Sequence, residues 1–316
     1  MQRLFLGVDG GQSSTTALIG DEAGRVLGGG RGGPSNHVKT HDGREKFVNA
    51  ITGCVGAASK EAGLDPEAVR FEAACLGFSG GPADKEALLA RMLRCDRLMV
   101  VTDALIALTG ATAGAPGIIT IAGTGSISWG RNAAGKTARA GGWGYVFGDE
   151  GGGFDLARQA LRAAMRQEEG WGPPTALLPM LLEATGASTA NDLLHRFYTT
   201  DFPRPRIAGL SKLVDQAALA GDAVAGQILE SAARQLAEIT AAVRGQIFDP
   251  GQIARVACIG GVFKSGLLRE TFRTLVELTD GNTVGLPVYG PAAGALLEAL
   301  RSCGLNPALS GVPELK

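Results

Sequence analysis

The sequence of 316 residues predicts an α/β fold built from two similar halves. Short apolar runs typical of buried strands alternate with segments whose apolar residues recur every three or four positions, as in amphipathic helices. Each half begins with such a run, at residues 4–8 and 118–122, and each run leads into a loop of glycine and hydroxyl residues. Because ligands of α/β sheets gather at the carboxyl ends of the strands, we expect functional residues in these loops.

The first half is predicted to open with a meander of strands, after which helices and strands alternate. Its ranges are strands 3–8, 15–19, 25–29, 73–78 and 98–102 and helices 47–62 and 85–93. The second half repeats the opening strands and is then mainly helical. Its ranges are strands 118–121, 126–130 and 254–259, a helix after Gly153, helices 224–243, 267–272 and 292–300, and a helical insertion at 175–199.

The two loops have the composition of phosphate-binding turns. They read Asp9-Gly10-Gly11-Gln12-Ser13-Ser14-Thr15 and Gly123-Thr124-Gly125-Ser126. Glycines let backbone N–H groups approach an anion, and Ser and Thr hydroxyls add donors without bulk. Placing Gly10 over Gly123 also places Ser13 over Ser126, which indicates a divergent duplication, although chance stays open in a chain with 48 glycines. The two loops together predict one polyphosphate held between the halves.

Asp9 heads the first loop, where its carboxylate would repel phosphate unless a cation lay between them. Mg²⁺ held largely through water is the functional interpretation of Asp9, and a turn-initiating Asp that caps its own loop is the structural one. Ser13 and Thr124 carry the hydroxyls that we expect nearest the β- and γ-phosphates. Either hydroxyl could instead bond only the backbone of its own loop.

Two further strand ends carry candidate residues. Gly260 and Gly261 follow the strand at 254–259, and such a pair lets a flat base or a ribose lie against the backbone, or only permits close packing. Asp103 follows the strand at 98–102. It could cap the helix that begins there, or it could orient an alcohol and accept its proton during phosphoryl transfer.

Groups suited to sugar hydroxyls occur in three short segments. These are Ser35-Asn36-His37, Gly141-Gly142-Trp143-Gly144 and Gly148-Asp149-Glu150-Gly151. Asp149 could accept two sugar O–H donors, or it could be a charge near the N-terminus of the following helix. Trp143 could contact the sugar or only pack against the wall of its site.

Composition argues against several other classes of protein. A net charge of −1 gives no general reason to bind nucleic acid or an acidic membrane surface, and no apolar run is long enough to span a membrane. The 5 cysteines include no C-x-x-C pair, so we expect a reduced, cytoplasmic protein. His37 and His41 lack partners at zinc-site spacing, and neither a Walker A loop nor a protein-kinase motif occurs. A small-molecule partner is therefore expected.

Taken together, the motifs resemble those of the N-acetylglucosamine kinase branch of the BadF/BadG-type ATPase family. The matching segments are residues 6–11, 35–37, 102–104, 123–126, 141–144 and 148–151, and the likeness runs from Leu4 to about Ser265. The W-G…G-D-E-G block is the most specific of them, whereas D-G-G is shared by the whole sugar kinase, heat-shock chaperone and actin superfamily. The resemblance implies two ribonuclease-H-like domains with ATP and Mg²⁺ in the cleft between them.

The resemblance also implies roles for single residues. Asp103 would be the base that receives the sugar hydroxyl proton. The sugar contacts would be Asn36, Gly142, Trp143, Gly144 and Asp149. The nucleotide contacts would be Ser13, Thr124, Gly209 and Ser265, beside the loop glycines Gly10, Gly11, Gly125, Gly260 and Gly261. The first loop departs from the common G-G-G-T form at Gln12 and Ser13, and His37-Val38 stands where the mammalian enzyme has an additional Trp contact.

The expected activity is ATP-dependent phosphorylation of N-acetylglucosamine or glucosamine, at the 6-hydroxyl. The expected domains are residues 1–112 and 113–291, with a C-terminal helix at about 292–303 packing back on the first. A homodimer is left open. Other interpretations also stay open: a non-catalytic sugar sensor, an ATP-driven activator of electron transfer, and a sugar kinase of the zinc-containing repressor-related group.

Overall fold

The computed structural model of the chain describes residues 2–11, 13–35, 42–78 and 84–313. The chain divides into two compact units. Unit 1 comprises Met1–Ala115 with Pro287–Lys316, and unit 2 comprises Pro116–Leu286. Each unit has its own sheet and its own hydrophobic core.

Strands and helices alternate along the described residues. The strands are β1 (Leu4–Gly10), β2 (Thr15–Asp21), β3 (Val26–Gly32), β4 (Phe71–Phe78), β5 (Cys95–Thr102), β6 (Gly117–Ala122), β7 (Ser126–Arg131), β8 (Thr137–Gly141), β9 (Ala254–Ile259) and β10 (Asn282–Gly285). The helices are α1 (Gly43–Glu61), α2 (Glu86–Met92), α3 (Asp103–Ala111), α4 (Gly153–Glu168), α5 (Leu177–Thr185), α6 (Ala190–Phe197), α7 (Arg204–Gly209), α8 (Ser211–Leu219), α9 (Ala223–Ile247), α10 (Gly266–Glu277) and α11 (Pro291–Ser302). Among these helices, none is long and apolar enough to cross a lipid bilayer.

Both sheets have the same strand order and the same strand directions. The order is β3-β2-β1-β4-β5 in unit 1 and β8-β7-β6-β9-β10 in unit 2. In each sheet the first three strands form an antiparallel meander, and the last two run parallel to the first. The predicted α/β class with two domains is confirmed, and the repeated topology is what duplication of one unit would produce.

The loops that follow β1 and β6 differ in length. The β1–β2 ladder ends at the pair Gly10 and Thr15, which leaves residues 11–14 in the loop, whereas the β6–β7 ladder ends at Ala122 and Ser126 and leaves residues 123–125. The predicted equivalence of Ser13 and Ser126 is therefore wrong in register. Ser13 is exposed within its loop, and Ser126 is the buried first residue of β7.

The side chains of β1 alternate between two helical layers. Leu6 packs with Phe47 of α1, and Phe5 packs with Leu296 of α11 on the opposite face. Because successive strand residues point to opposite faces, Asp9 lies on the same side as Phe5, at the carboxyl end of the strand. The acid therefore projects on the α11 side of the sheet rather than toward α1.

Unit 2 carries the helical insertion, which is longer than predicted. The helices α5 to α8 extend over residues 177–219, beyond the predicted end at 199. The prediction stopped where Pro203 and Pro205 punctuate the sequence. Pro203 is the N-cap of α7 and Pro205 lies in its first turn, where the missing N–H groups have no partner within the helix to lose. The prolines therefore start a helix here.

Candidate active site

Two carboxylates lie at the carboxyl ends of strands in the sheet of unit 1. Asp9 is the penultimate residue of β1, and Asp103 follows β5 as the first residue of α3. Since β4 lies between these parallel strands, β1 and β5 are about 10 Å apart, and Asp103 lies two residues beyond Val101, the β5 residue in register with Asp9. The structure thus brings to one sheet edge the two acids that the sequence singled out.

The environment of Asp9 disfavours its charged form. Burial, with a smaller contribution from the negative charge of Asp103, raises the pKa of the Asp9 carboxyl to about 6. Asp103 itself is exposed. Ionised Asp9 is therefore costly in the folded chain at neutral pH, and a cation beside it would lower that cost.

This environment fits the Mg²⁺ that the sequence resemblance implies. Proteins usually hold Mg²⁺ by one or two carboxylates, while water and substrate phosphates complete its coordination. Asp9 supplies one such carboxylate. Within residues 2–11, 13–35, 42–78 and 84–313, no group of three His, Cys, Asp or Glu side chains is placed to hold a metal ion.

The start of α3 bears on the structural interpretation of Asp103. The N-cap is Thr102, whose hydroxyl accepts a hydrogen bond of 3.4 Å from the Leu105 N–H. The Asp103 Oδ1 atom accepts a second bond, of 2.8 Å, from the Ala104 N–H. The structural interpretation, in which Asp103 caps α3, is therefore wrong, because Thr102 is the N-cap.

The first loop is closed by backbone hydrogen bonds. The Gly11 N–H donates to the Ser14 carbonyl at 3.0 Å, and the Ser35 N–H donates to the Gly11 carbonyl at 3.1 Å. Gly10 is tightly enclosed, since a Cβ atom there would lie 2.2 Å from the Phe78 ring. The exposed Ser13 hydroxyl makes no hydrogen bond to other described residues.

The second loop is held by the first turn of α4. The Gly123 N–H donates to the Gly125 carbonyl at 2.9 Å, and two N–H groups of α4 donate back to the loop: Gly153 to the Gly123 carbonyl at 2.7 Å and Phe154 to the Thr124 carbonyl at 3.0 Å. These bonds fix the loop backbone. The Thr124 hydroxyl has no partner within the described part of the chain and is the side-chain donor that the loop presents.

The third loop, which follows β9, begins with two glycines in different surroundings. Gly260 has a φ of 110°, and a Cβ there would lie 2.3 Å from the Ala122 carbonyl oxygen, so packing alone requires glycine. Gly261 is exposed, and a Cβ there would meet no atom within 4 Å. The buried Ser265 hydroxyl caps α10 by accepting a bond of 3.2 Å from the Leu268 N–H.

Two positions near these loops differ in what they can offer a ligand. Gly209 is exposed at the end of α7, and an added Cβ would meet no atom within 4 Å, so the packing of the chain does not require a glycine there. Cys258, two residues before Gly260, is buried within β9. Its thiol is therefore a core group.

Four of the five predicted sugar contacts lie in one segment between β8 and α4. Gly142, Trp143, Gly144 and Asp149 belong to it, and the Gly148 N–H closes its turn by donating to the Gly144 carbonyl at 2.8 Å. The fifth, Asn36, lies outside the described residues, as do Gln12, His37 and His41. The Trp143 side chain is 65% exposed and does not pack as part of the core.

Asp149 turns its carboxylate inward, against the second loop. Its backbone has a φ of 65°, and its side chain is only 8% exposed. The Oδ2 atom forms an ion pair with Arg204, and the Oδ1 atom accepts a long bond of 3.4 Å from the Ser126 N–H. A Cβ on Gly125 would lie 2.2 Å from Oδ2. The carboxylate therefore braces the second loop, in the sense that it packs against the loop and bonds its backbone. In this position it leaves no space for a side chain at residue 125.

Arg204 is the site residue that the sequence analysis missed. It pairs with Asp149 across 55 residues of sequence, and its guanidinium lies over the rings of Tyr145 at 4.9 Å and Phe154 at 5.7 Å. No local pattern links an arginine to an acid so far away. The only local signal is that the arginine stands between two prolines, Pro203 and Pro205.

Comparison with known proteins agrees with the motif resemblance. Residues 6–299 match the model of the BadF/BadG/BcrA/BcrD ATPase family. An N-acetylmuramic acid/N-acetylglucosamine kinase of Clostridium acetobutylicum is 30% identical over 95% of this chain and 99% of its own length. An N-acetyl-D-glucosamine kinase of Dictyostelium discoideum is 29% identical over the same shares of both chains.

A solved structure agrees as well. A candidate N-acetylglucosamine kinase of Chromobacterium violaceum superposes with a TM-score of 0.71 at 30% identity, covering 93% of this chain and 98% of that one. These matches extend across both units, and they confirm the family predicted from the motifs. The chain therefore belongs to the BadF/BadG/BcrA/BcrD ATPase family.

Proposed function

We propose that the protein phosphorylates N-acetylglucosamine or glucosamine with ATP, at the 6-hydroxyl of the sugar. The observation that carries the proposal is the pair of strand-end acids, Asp9 and Asp103, in a chain whose full-length relatives are named as amino-sugar kinases. Phosphoryl transfer needs a carboxylate to orient the alcohol and charge to neutralise the phosphates. One acid is available for each task.

Asp103 is the proposed general base. As the sugar oxygen forms its bond to the γ-phosphorus, the hydroxyl proton passes to the Asp103 carboxylate, and the bond between the γ-phosphorus and the β–γ bridging oxygen breaks to leave ADP. Its exposure and its place directly after β5 support this role, because the carboxylate is reachable from solvent at the carboxyl end of the strand.

Asp9 is the proposed metal-binding residue. When bound, Mg²⁺ neutralises charge on the β- and γ-phosphates, which is the main electrostatic requirement of the reaction. The raised pKa of Asp9 supports this assignment, because a carboxylate that is costly to ionise alone gains most from a nearby cation.

The remaining residues bind the two substrates in this proposal. Nucleotide contacts are assigned to Gly10, Gly11, Ser13, Thr124, Gly125, Gly209, Gly260, Gly261 and Ser265. Sugar contacts are assigned to Asn36, Gly142, Trp143, Gly144 and Asp149. The residues that present accessible groups rank first: Ser13, Thr124, Gly209 and Gly261. Gly125 and Gly260 rank lower because they are required for packing. Asp149 also ranks lower, because its carboxylate already forms an ion pair with Arg204.

A substrate panel tests the proposal. ADP release is measured with ATP and Mg²⁺ in the presence of N-acetylglucosamine, glucosamine, N-acetylmuramic acid or glucose. We expect an amino sugar to stimulate ADP release well above both the rate with glucose and the rate without sugar. If no amino sugar raises ADP release above background, the protein is not the proposed kinase.

A further inference from the structure

Unit 2 contains a cavity of about 260 Å³ beside the third loop. Leu156 of α4, Leu229 of α9 and Val262 form apolar walls, and the polar side chains of the lining come from α8 and from Lys264 and Ser265. The volume is just below the roughly 300 Å³ at which small-molecule sites usually begin. A cavity of this size suits the nucleoside part of a nucleotide and not the whole molecule.

The cavity contains an unsatisfied acceptor. The Oδ1 atom of Asp215, on α8, is buried and has no hydrogen-bond partner among the described residues. A buried carboxylate oxygen without a donor is costly, so such atoms in folded proteins usually meet a ligand or an ordered water. The atom therefore marks a place where a donor is expected.

Charge neutralisation within the protein does not explain this carboxylate. Lys212 and Lys264 also line the cavity, yet neither forms an ion pair with Asp215 within the part of the chain that the structure describes. Among the described residues, Asp215 has no partner that its removal would leave unpaired. Its loss should therefore cost the fold little.

The cavity adjoins the second loop. A Cβ atom built on Gly153 would lie 3.1 Å from the Gly123 carbonyl oxygen and 3.3 Å from the hydroxyl of Ser211, the first residue of α8. Ser211 also lines the cavity. The helix that carries Asp215 thus begins beside the loop to which the proposed function assigns nucleotide phosphates, so the cavity lies where a nucleoside could continue from them.

We infer that Asp215 selects adenosine nucleotides by accepting a hydrogen bond from the nucleoside. An ionised carboxylate can only accept, so it suits the 6-amino group of adenine or a ribose hydroxyl, and it opposes the 6-oxo group of hypoxanthine or guanine. A site built to bond a particular N–H or O–H rejects analogues that lack it. This inference rests on the proposed function and adds a residue that determines its nucleotide specificity.

The test compares Asp215→Ala and Asp215→Asn with the wild type. Glu238→Gln on the exposed side of α9 removes one charge from unit 2 away from the cavity and serves as the matched control. The affinity of ADP is measured by calorimetry, and the discrimination of ATP from ITP and from 2′-deoxy- and 3′-deoxy-ATP is measured by steady-state kinetics. Tm reports folding.

We expect Asp215→Ala to weaken ADP binding by about tenfold to a hundredfold, the range for losing a bond to a charged group, without lowering Tm. Asp215→Asn keeps an acceptor oxygen and should lose less. Reduced discrimination against ITP assigns the bond to the base, and reduced discrimination against the deoxy nucleotides assigns it to the ribose.

Unchanged ADP affinity and unchanged discrimination in both variants would overturn the inference, because the oxygen then holds only water. In that case, wild-type kinase activity would leave the proposed function intact. A wild-type protein that binds no adenine nucleotide would end both proposals. A fall in affinity equal to that of Glu238→Gln would attribute the effect to overall charge and would also overturn the inference.

Discussion

The two loops that follow β1 and β6 occupy the same place in sheets of the same topology, yet their surroundings differ. In the first, Asp9 at the strand end is covered enough to raise its pKa to about 6. In the second, the matching ladder position is Ile121, and the acid beside the loop is Asp149, brought from a distant segment and paired with Arg204. Among the described residues, one scaffold thus carries an acid without an ion-pair partner, Asp9, in unit 1 and an ion-paired acid, Asp149, in unit 2.

This difference indicates that the acids beside the two loops have different roles. A charge left without a partner in the protein can respond to a metal or a reacting group, whereas a charge already paired serves mainly to hold its neighbours in place. We therefore expect a change at Asp9 to alter chemistry, and changes around Asp149 to alter stability and binding.

The largest effect should follow Asp103→Asn. The amide cannot accept the hydroxyl proton, so we expect turnover to fall by about 10²–10⁴-fold, the range for losing a general base, while ADP affinity stays within a factor of two or so. Glu86→Gln is the matched control, because Glu86 is likewise the first residue of a helix in unit 1. Turnover close to that of the wild type in Asp103→Asn would remove this residue as the base.

Asp9→Asn should stabilise the metal-free protein while it impairs Mg²⁺-dependent activity. The Asp9 pKa is higher in the folded chain than in the unfolded one, so the stability that it contributes is present below about pH 4 and is lost as the pH rises through about 6. At pH 8 the cost of the ionised group is on the order of 2–3 kcal/mol. Thermal melts without Mg²⁺ should therefore show a higher Tm for the variant at pH 8, with the gap closing toward pH 4. A lower Tm at pH 8 would contradict this description of Asp9.

Gly10→Ala and Gly123→Ala test how tightly each loop is enclosed by its surroundings. A Cβ at Gly10 would lie 2.2 Å from the buried Phe78 ring, whereas one at Gly123 would meet nothing within 4 Å. We expect Gly10→Ala to lower the free energy of unfolding by about 1–3 kcal/mol, the cost of overpacking, and Gly123→Ala to change it by less than about 0.5 kcal/mol. Urea unfolding measures both, and equal losses would show that the two loops are equally enclosed.

Arg204→Met should have only a modest effect on stability. It leaves the carboxylate of Asp149 without its ion-pair partner, but Arg204 is itself 35% exposed, so we expect a loss of only about 1 kcal/mol. Arg162→Met, on the exposed side of α4, is a control for the lost positive charge. If both variants unfold at the same urea concentration, the ion pair does not brace the second loop.

The strands that carry the acids could be predicted because each is an apolar run that ends at a glycine or an acid. Two strands were missed for lack of such a signal. In β8, Ala138 is buried between two exposed residues, and β10 contains only four residues. The pairing of Asp149 with Arg204 could not be predicted either, because it depends on the tertiary packing of two segments that are remote in sequence. The sequence could therefore identify candidate acids, but it could not predict which residues form ion pairs with them.

Phosphorus NMR of the reaction products tests the central claim most directly. With ATP, Mg²⁺ and N-acetylglucosamine or glucosamine, we expect a phosphomonoester signal coupled to the two protons on carbon 6, formed in step with ADP, and no ester from the 6-deoxy sugar. Release of inorganic phosphate alone, or ester formation that persists with the 6-deoxy sugar, would contradict transfer to the 6-hydroxyl by this protein.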